Sequence, residues 1–374
     1  MENSSATQTG NGSCEDLGCF MVLEPAEQKA IGSICLLAGP ITLLQNAVVL
    51  SLIASSASLR RRPSYLFMGS LALADVFASF FYTASFVDFH LFHRHDGPAA
   101  SLFKLGGVTL SFTGSVGSLL LTAVDRFLCL YRTYSYKAVL TRRRALLALL
   151  LLWSTSLLVS FLPLMGWRCS TGLSPPCSRL FPYISRGFLA CWTAFILLVL
   201  GLILAAYALI LWKAHLHQAS MSALQGASAP QQQARMRLDI RLARTLSLIL
   251  FILVGCWLPV LGFMLADVFV VLNMAQKRAF AFCSTLCLVN SAINPLLYAL
   301  RCQELRLMLV GRLGCLLGGK ACWSPSAGTS PSDSAQTEAD RSRTGVSAHS
   351  LGTSGGSQQE VTRGEPGGEG GSRR

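Results

Sequence analysis

The residues of this chain that could do chemistry are few and sit in apolar surroundings, so each is a candidate in its own right. Asp75 lies near the middle of Ser64 to Val87, where an ionisable side chain costs at least about 2.5 kcal/mol to insert. Ser115, Asn290, Ser291 and Asn294, with Asn46, are hydroxyls and amides in other apolar stretches that could meet Asp75 across a helix bundle. A carboxylate ringed by such groups is a hard oxygen site suited to a small cation such as Na⁺ or to coupled water. Two readings stay open: a hydrogen-bonded knot that fixes packing, and a Na⁺- or proton-linked switch. The cost of one buried acid favours the switch.

Asp125-Arg126-Phe127 closes another apolar stretch, and Asp239 is the sole acid in the basic run Arg235 to Arg244. Arg126 and Asp239 could pair as a two-state latch between helix ends, although each alone reads as a snorkelling or solvated end residue. Tyr82, Phe86, Phe89 and His90 follow i, i+4, i+7 and i+8, one face of a helix. Phe112, Phe188 and Trp192, Trp257, and Phe280 with Ser284 stand on other stretches at a similar level. One aromatic alone is core or lipid-facing filler; this convergence predicts an apolar pocket with Thr109, His90, Lys104 and Ser284 as its polar handles. His90, His93 and His95 have no Cys or acid at matching spacing, so no metal cluster is expected there.

Seven apolar stretches must position these groups: Ala30 to Leu59, Ser64 to Val87, Leu105 to Val124, Ala145 to Trp167, Gly187 to Trp212, Thr245 to Ala266 and Ala279 to Leu300. Each is long enough to cross about 30 Å of hydrocarbon. In lipid the backbone must bond to itself, and unbroken runs of this kind predict helices and not barrel strands. The chain has 374 residues, 52% hydrophobic and only 13% charged, which excludes a soluble globule, a disordered chain and a nucleic-acid-binding domain. The expected fold is an all-α membrane protein, a seven-transmembrane helix bundle with a short amphipathic eighth helix. The expected segments are 1–29 before the bundle, 30–300 within it, 301–317 as the amphipathic helix and 318–374 as a tail rich in Ser, Gly and Thr, with possible phosphorylation sites. Pro259 in Cys256-Trp257-Leu258-Pro259 and Pro295 in Asn294-Pro295-Leu296-Leu297-Tyr298 predict kinks in the sixth and seventh helices.

The formal charge of +13 resolves into an asymmetry. Seventeen Lys and Arg fall in one set of connections and after the last span, against seven in the other set. The positive-inside rule then puts the N-terminus outside a multi-pass plasma-membrane protein. The sequons Asn3-Ser4-Ser5 and Asn11-Gly12-Ser13 agree, and no cleavable signal peptide is recognised before the first span. Of the 13 cysteines, Cys35, Cys129, Cys191, Cys256, Cys283 and Cys287 fall in or at the ends of spans and read as small apolar filler. Cys169 and Cys177 could close a short ring in the loop after span four, and Cys14 with Cys19 another. Cys315 or Cys322, after the stripe Leu305, Met308, Leu309, Leu313, Leu316 and Leu317, could be palmitoylated.

Asn46, the Leu71-to-Asp75 segment LALAD, Asp125-Arg126-Phe127, Trp153, CWLP and NPLLY occur in the order and at the spacings of rhodopsin-like G-protein-coupled receptors. Over Ala30 to Leu317 the chain resembles that family, and within it the cannabinoid receptors, through segments such as RRRPSYLFMGSLALADVFASF, FTGSVGSLLLTAVDRF and RAFAFCSTLCLVNSAINPLLYALR. Ser101 replaces the family's usual cysteine and Val199 its usual proline, departures that the cannabinoid receptors share. The resemblance implies a disulfide within one loop, Cys169 with Cys177. It implies a lipid pocket of Phe86, Phe89, His90, Val108, Thr109, Phe112, Phe181, Phe188, Trp192, Trp257, Phe280 and Ser284, with Phe112 and Trp257 as toggle. Tyr82 stands where a Phe would be expected in that pocket. Asp125 and Arg126 would couple to the G protein, with Tyr207 and Tyr298 supporting the open state. Endocannabinoid lipids would be the ligands and the inhibitory G protein that lowers adenylyl cyclase the transducer; arrestin and receptor kinases would follow.

The residues themselves point to the same ligand chemistry. No acid lies in the outer half of span three to hold an amine, and no Lys lies in span seven to hold retinal, so a neutral amphipathic lipid is expected and no cofactor beyond an allosteric Na⁺ at Asp75. An intramembrane hydrolase would need a dyad for Ser115 or Ser118, which is lacking, and a transporter would show an internal repeat.

Overall fold

The computed structural model describes residues 17–94, 96–131, 136–169, 173, 177–223, 252 and 254–316. Eight main helices follow one another: α1 Pro25–Ser55, α2 Pro63–Phe86, α3 Pro98–Tyr131, α4 Arg142–Met165, α5 Arg186–Ala223, α6 with its described part Val254–Phe269, α7 Met274–Arg301 and α8 Gln303–Leu316. Among them six are long and apolar enough to cross a membrane, and the described part of α6 is a shorter apolar helix. Proline opens α1, α2 and α3, where its missing N–H costs nothing. Thr141 caps α4 by accepting from the Arg144 N–H at 3.4 Å. α4 ends at Gly166, whose φ of 139° only glycine adopts without strain.

The bundle meets the expectation of seven membrane helices and an eighth short one, but several boundaries move: α1 runs Pro25–Ser55 and not Ala30 to Leu59, α7 starts at Met274 and not Ala279, and α3 and α5 shift most. α3 begins at Pro98 and not near Leu105, because Lys104 is neutralised by Asp88 and Asp96 and so does not end the helix. α5 continues past Lys213 to Ala223. The stripe expected to lie on the membrane turns inward where its side chains are described: Leu305 is buried and, with Met308 and Leu309, packs into the bundle core, while the outward residues are Leu307 and Val310, which are not part of that stripe.

Buried small and polar residues draw the helices together. The Trp153 indole of α4 donates to the Ser70 hydroxyl at 3.0 Å, which lies 2.7 Å from the Ser118 hydroxyl, which in turn donates to the Gly114 carbonyl at 2.7 Å. Neighbouring Gly106 and Gly107 let α3 approach Phe161 of α4 and Phe81 of α2 so closely that a Cβ at Gly107 would overlap the Phe81 ring. Outward, Leu37 and Leu44 of α1 and Leu147, Leu150 and Leu157 of α4 are exposed, the surface a lipid-facing wall requires. Cys35 and Cys287 are buried filler, as expected. Asn3, Asn11, Cys14, Cys322, Asp239 and the tail lie outside the described residues, as do the side chains of Tyr298 and Cys315.

Candidate ligand-binding site

A cavity of about 260 Å³ opens at the end of the bundle where α1 begins. Of the side chains expected in a lipid pocket, Phe86, Phe89, His90, Val108, Phe112, Phe181, Phe280 and Ser284 line it, together with Tyr82 and Lys104. Their placement on α2 departs from ideal helical spacing. Val87–Leu91 is a wide π turn, closed by the Phe92 N–H on the Val87 carbonyl at 3.0 Å. It stacks His90 on Phe86 at 4.3 Å and sets Phe89 edge-on to His90 at 4.9 Å. Phe280 of α7 meets Phe181 of the loop at 5.5 Å. The Tyr82 hydroxyl lies 3.1 Å from that of Thr285, which satisfies a polar group in an otherwise apolar wall.

Four expected residues stay off this wall. Thr109 turns its hydroxyl back to the Leu105 carbonyl at 2.9 Å. Phe188 is buried against Trp167 at 5.7 Å, and the buried Trp192 donates its indole N–H to Thr113 at 3.1 Å. Trp257 lies beneath, packed on Phe112 at 4.1 Å. Phe112 alone of this pair lines the cavity. Both rings also line a chamber of about 20 Å³, room for about one water, whose wall is mostly apolar, with Val108 and Leu288, and carries the hydroxyls of Ser111, Ser115, Ser284 and Ser291.

Next to that chamber the expected polar centre forms. Asp75, 1% exposed, accepts from the Asn294 amide at 2.9 Å, with Ser291 alongside as a second hydrogen-bonding group. The Asn46 amide donates to the Thr42 carbonyl at 2.9 Å and the Ser291 carbonyl at 3.4 Å, while its own oxygen is buried without a partner among the described residues. Ser115 and Asn290 are also buried. A single carboxylate with hydroxyl and amide oxygens around it, one of them orphaned, fits a monovalent hard cation. Among the described residues no cluster of His, Cys, Asp and Glu suits a transition metal.

At the opposite end Asp125 is fully buried and accepts from Ser64 at 2.7 Å and from Tyr136 at 2.6 Å. Burial, then this bond and the carboxylate charge, push the Tyr136 phenol well above its usual range, so it stays a donor. Arg126 turns to its own neighbour, with Nη2 3.3 Å from the Asp125 carboxylate, and its Nε is buried without a partner among the described residues. Tyr207 is buried on α5. The sequence did not single out Glu304, which ties α8 to the start of α2 through Arg62 at 2.7 Å and Tyr65 at 3.2 Å.

The mouth of the cavity carries most of what sequence reasoning missed. Phe20, Val22, Ser85, Asp96, Arg179, Leu180 and Lys277 also line it. The Cys169–Cys177 disulfide is present, and backbone bridges Arg168 to Ile184 and Cys177 to Ser185 fold the loop over the opening. That loop is pinned by Asp267 at the end of α6, fully buried, which accepts from the Ser178 hydroxyl at 2.6 Å and from the Arg179 N–H at 3.1 Å. Lys104 is held between Asp88 and Asp96, and Arg278 of α7 binds Glu24 and Glu27.

Comparison with known proteins agrees with this architecture. Residues 45–298 match the family described as 7 transmembrane receptor (rhodopsin family). The chain is 50% identical over 311 residues to cannabinoid receptor 2 of Homo sapiens, covering 82% of this chain and 85% of that one. It is 47% identical over 325 residues to cannabinoid receptor 2 of Mus musculus, covering 86% and 92%. With cannabinoid receptor 1 of Xenopus laevis it shares 46% identity over 303 residues, covering 78% and 64%.

Proposed function

The chain belongs to the rhodopsin family of seven-transmembrane receptors, with cannabinoid receptors as relatives, so it is a multi-pass membrane receptor and not an enzyme; on that premise we propose that it binds endocannabinoid lipids. The observation that carries this reading is the apolar cavity of about 260 Å³, whose lining ring Phe112 packs on Trp257, while both rings also line a second, small chamber that reaches Ser291 beside Asp75. A lipid chain buried in that cavity gains roughly 0.8 kcal/mol per CH₂. An agonist that favours a shifted Phe112–Trp257 pair then moves the far ends of α3 and α6, because only differential binding to two states changes their populations. In this reading the transducer is the inhibitory heterotrimeric G protein, which lowers adenylyl cyclase activity. Arg126 leaves Asp125 to meet it, with Tyr207 and Tyr298 lining the opened end. The N-terminus with Asn3 and Asn11 is extracellular, the protein works at the plasma membrane, and the tail serves receptor kinases and arrestin.

The test is nucleotide exchange on purified inhibitory G protein, with the receptor in lipid nanodiscs. Endocannabinoid ethanolamides should accelerate exchange; no acceleration by any of them would overturn the ligand assignment. In the same preparation Na⁺ should weaken agonist binding through Asp75. Asp75→Asn should make agonist Kd the same in NaCl as in choline chloride, and a retained Na⁺ effect would remove the cation from this site.

A further inference from the structure

Each acid that closes the mouth already has a partner among the described residues. Glu24 and Glu27 bind Arg278, Asp88 and Asp96 bind Lys104, and Asp267 accepts from Ser178 and the Arg179 N–H. Two cations on the cavity wall are left over. The Arg179 and Lys277 side chains both line the cavity, each half-buried, and neither makes an ion pair among the described residues. Arg179 Nη1 is buried with no hydrogen-bond partner among the described residues. An unpartnered guanidinium nitrogen removed from water is costly unless something supplies an acceptor, and a planar anion does so best. Lys104 is different, since two carboxylates already hold it.

We propose that Arg179 and Lys277 form a headgroup subsite at the cavity mouth that recognises single-chain lipids with an anionic head, such as N-acyl amino acids, in addition to neutral amides. This rests on the reading of the cavity as the lipid site. The chain of such a lipid lies among Phe86, Phe181 and Phe280, and its anionic head receives the Arg179 fork with Lys277 as a second donor. Lys104 offsets one of the two charges of Asp88 and Asp96 on the same rim, so the attraction for the head comes from Arg179 and Lys277 and must exceed the charge left there.

The experiment displaces a fluorescent lipid from the nanodisc receptor with an acyl glycine, its isosteric neutral glycinamide, the ethanolamide and a lysophosphatidate of the same chain. The acyl glycine should displace at a concentration roughly tenfold below that of the glycinamide, and Arg179→Gln or Lys277→Gln should each abolish most of that advantage while ethanolamide binding changes less than about threefold. The lysophosphatidate arm separates the two sources of anionic head; loss of affinity for either head in both variants supports the subsite. Parity of glycine and glycinamide in the unmodified receptor overturns it, without recourse to any variant. So does an equal fall for charged and neutral lipids. If the ethanolamide neither binds nor drives exchange, the lipid-receptor reading itself fails and the subsite falls with it.

Discussion

Asp267→Ala should lower the thermal midpoint of the purified receptor and weaken lipid binding on the order of 10- to 100-fold. The carboxylate is fully buried, and its loss leaves the Ser178 hydroxyl and the Arg179 N–H without acceptors. Each orphaned group costs about 1–3 kcal/mol, and leaving the segment free to relax recovers part of that only by giving up its position. That segment carries Leu180, Phe181 and Pro182 onto the cavity wall, so the penalty reaches the ligand. Asp267→Asn keeps one acceptor oxygen and should fall between. Thermal unfolding and saturation binding measure both effects; an Ala variant with unchanged midpoint and Kd would mean that the Cys169–Cys177 ring holds the loop unaided.

Phe112→Ala should raise ligand-free nucleotide exchange several-fold. The Trp257 indole has no hydrogen-bond partner among the described residues, so ring packing on Phe112 at 4.1 Å is the specific contact that locates it. In the reading proposed above, Arg126 against Asp125, which Ser64 and Tyr136 fix, is the resting, closed arrangement of the far end. Removing a half-buried ring costs about 2 kcal/mol of packing, and if about half of that is specific to the closed arrangement the bias of about 1 kcal/mol is roughly a fivefold change in population. A basal rate that stays flat while the protein remains folded would show that the Phe112–Trp257 contact does not favour the closed state.

The features legible in the sequence were those with a cost that composition exposes. Asp75 was conspicuous because an acid amid apolar residues must be partnered, and Asn294 and Ser291 are indeed beside it. Asp267 carries a comparable burden but follows Ala266 at the end of an apolar run, where an acid looks solvated; only the folded loop reveals that it is covered. Lys104 shortened the apparent third span because a charge counts as a stop until its two carboxylates are seen. Phe20, Val22 and Arg179 reach the cavity through segments with no periodicity to predict them. Periodicity also cannot say which buried face of a helix meets a cavity and which meets a neighbour. Phe188 and Trp192 were expected on the wall and instead pack sideways, Trp192 because Thr113 accepts its N–H. The pairing of Arg126 with Asp239 involves a residue outside those described; among the described residues Arg126 contacts Asp125.

The wide turn at Val87–Leu91 has a consequence for comparing this chain with others. A π turn accommodates an additional residue per hydrogen-bonded loop, so the helical wheel after Phe86 is out of phase with the wheel before it. Residues aligned by counting from Asp75 will point in the right direction up to Phe86 and in a rotated one at Phe89 and His90. A relative that lacks the turn would present different side chains to the same place at equal sequence numbers. Ligand preference can therefore diverge between two chains whose residues at these positions are identical, through backbone phase alone.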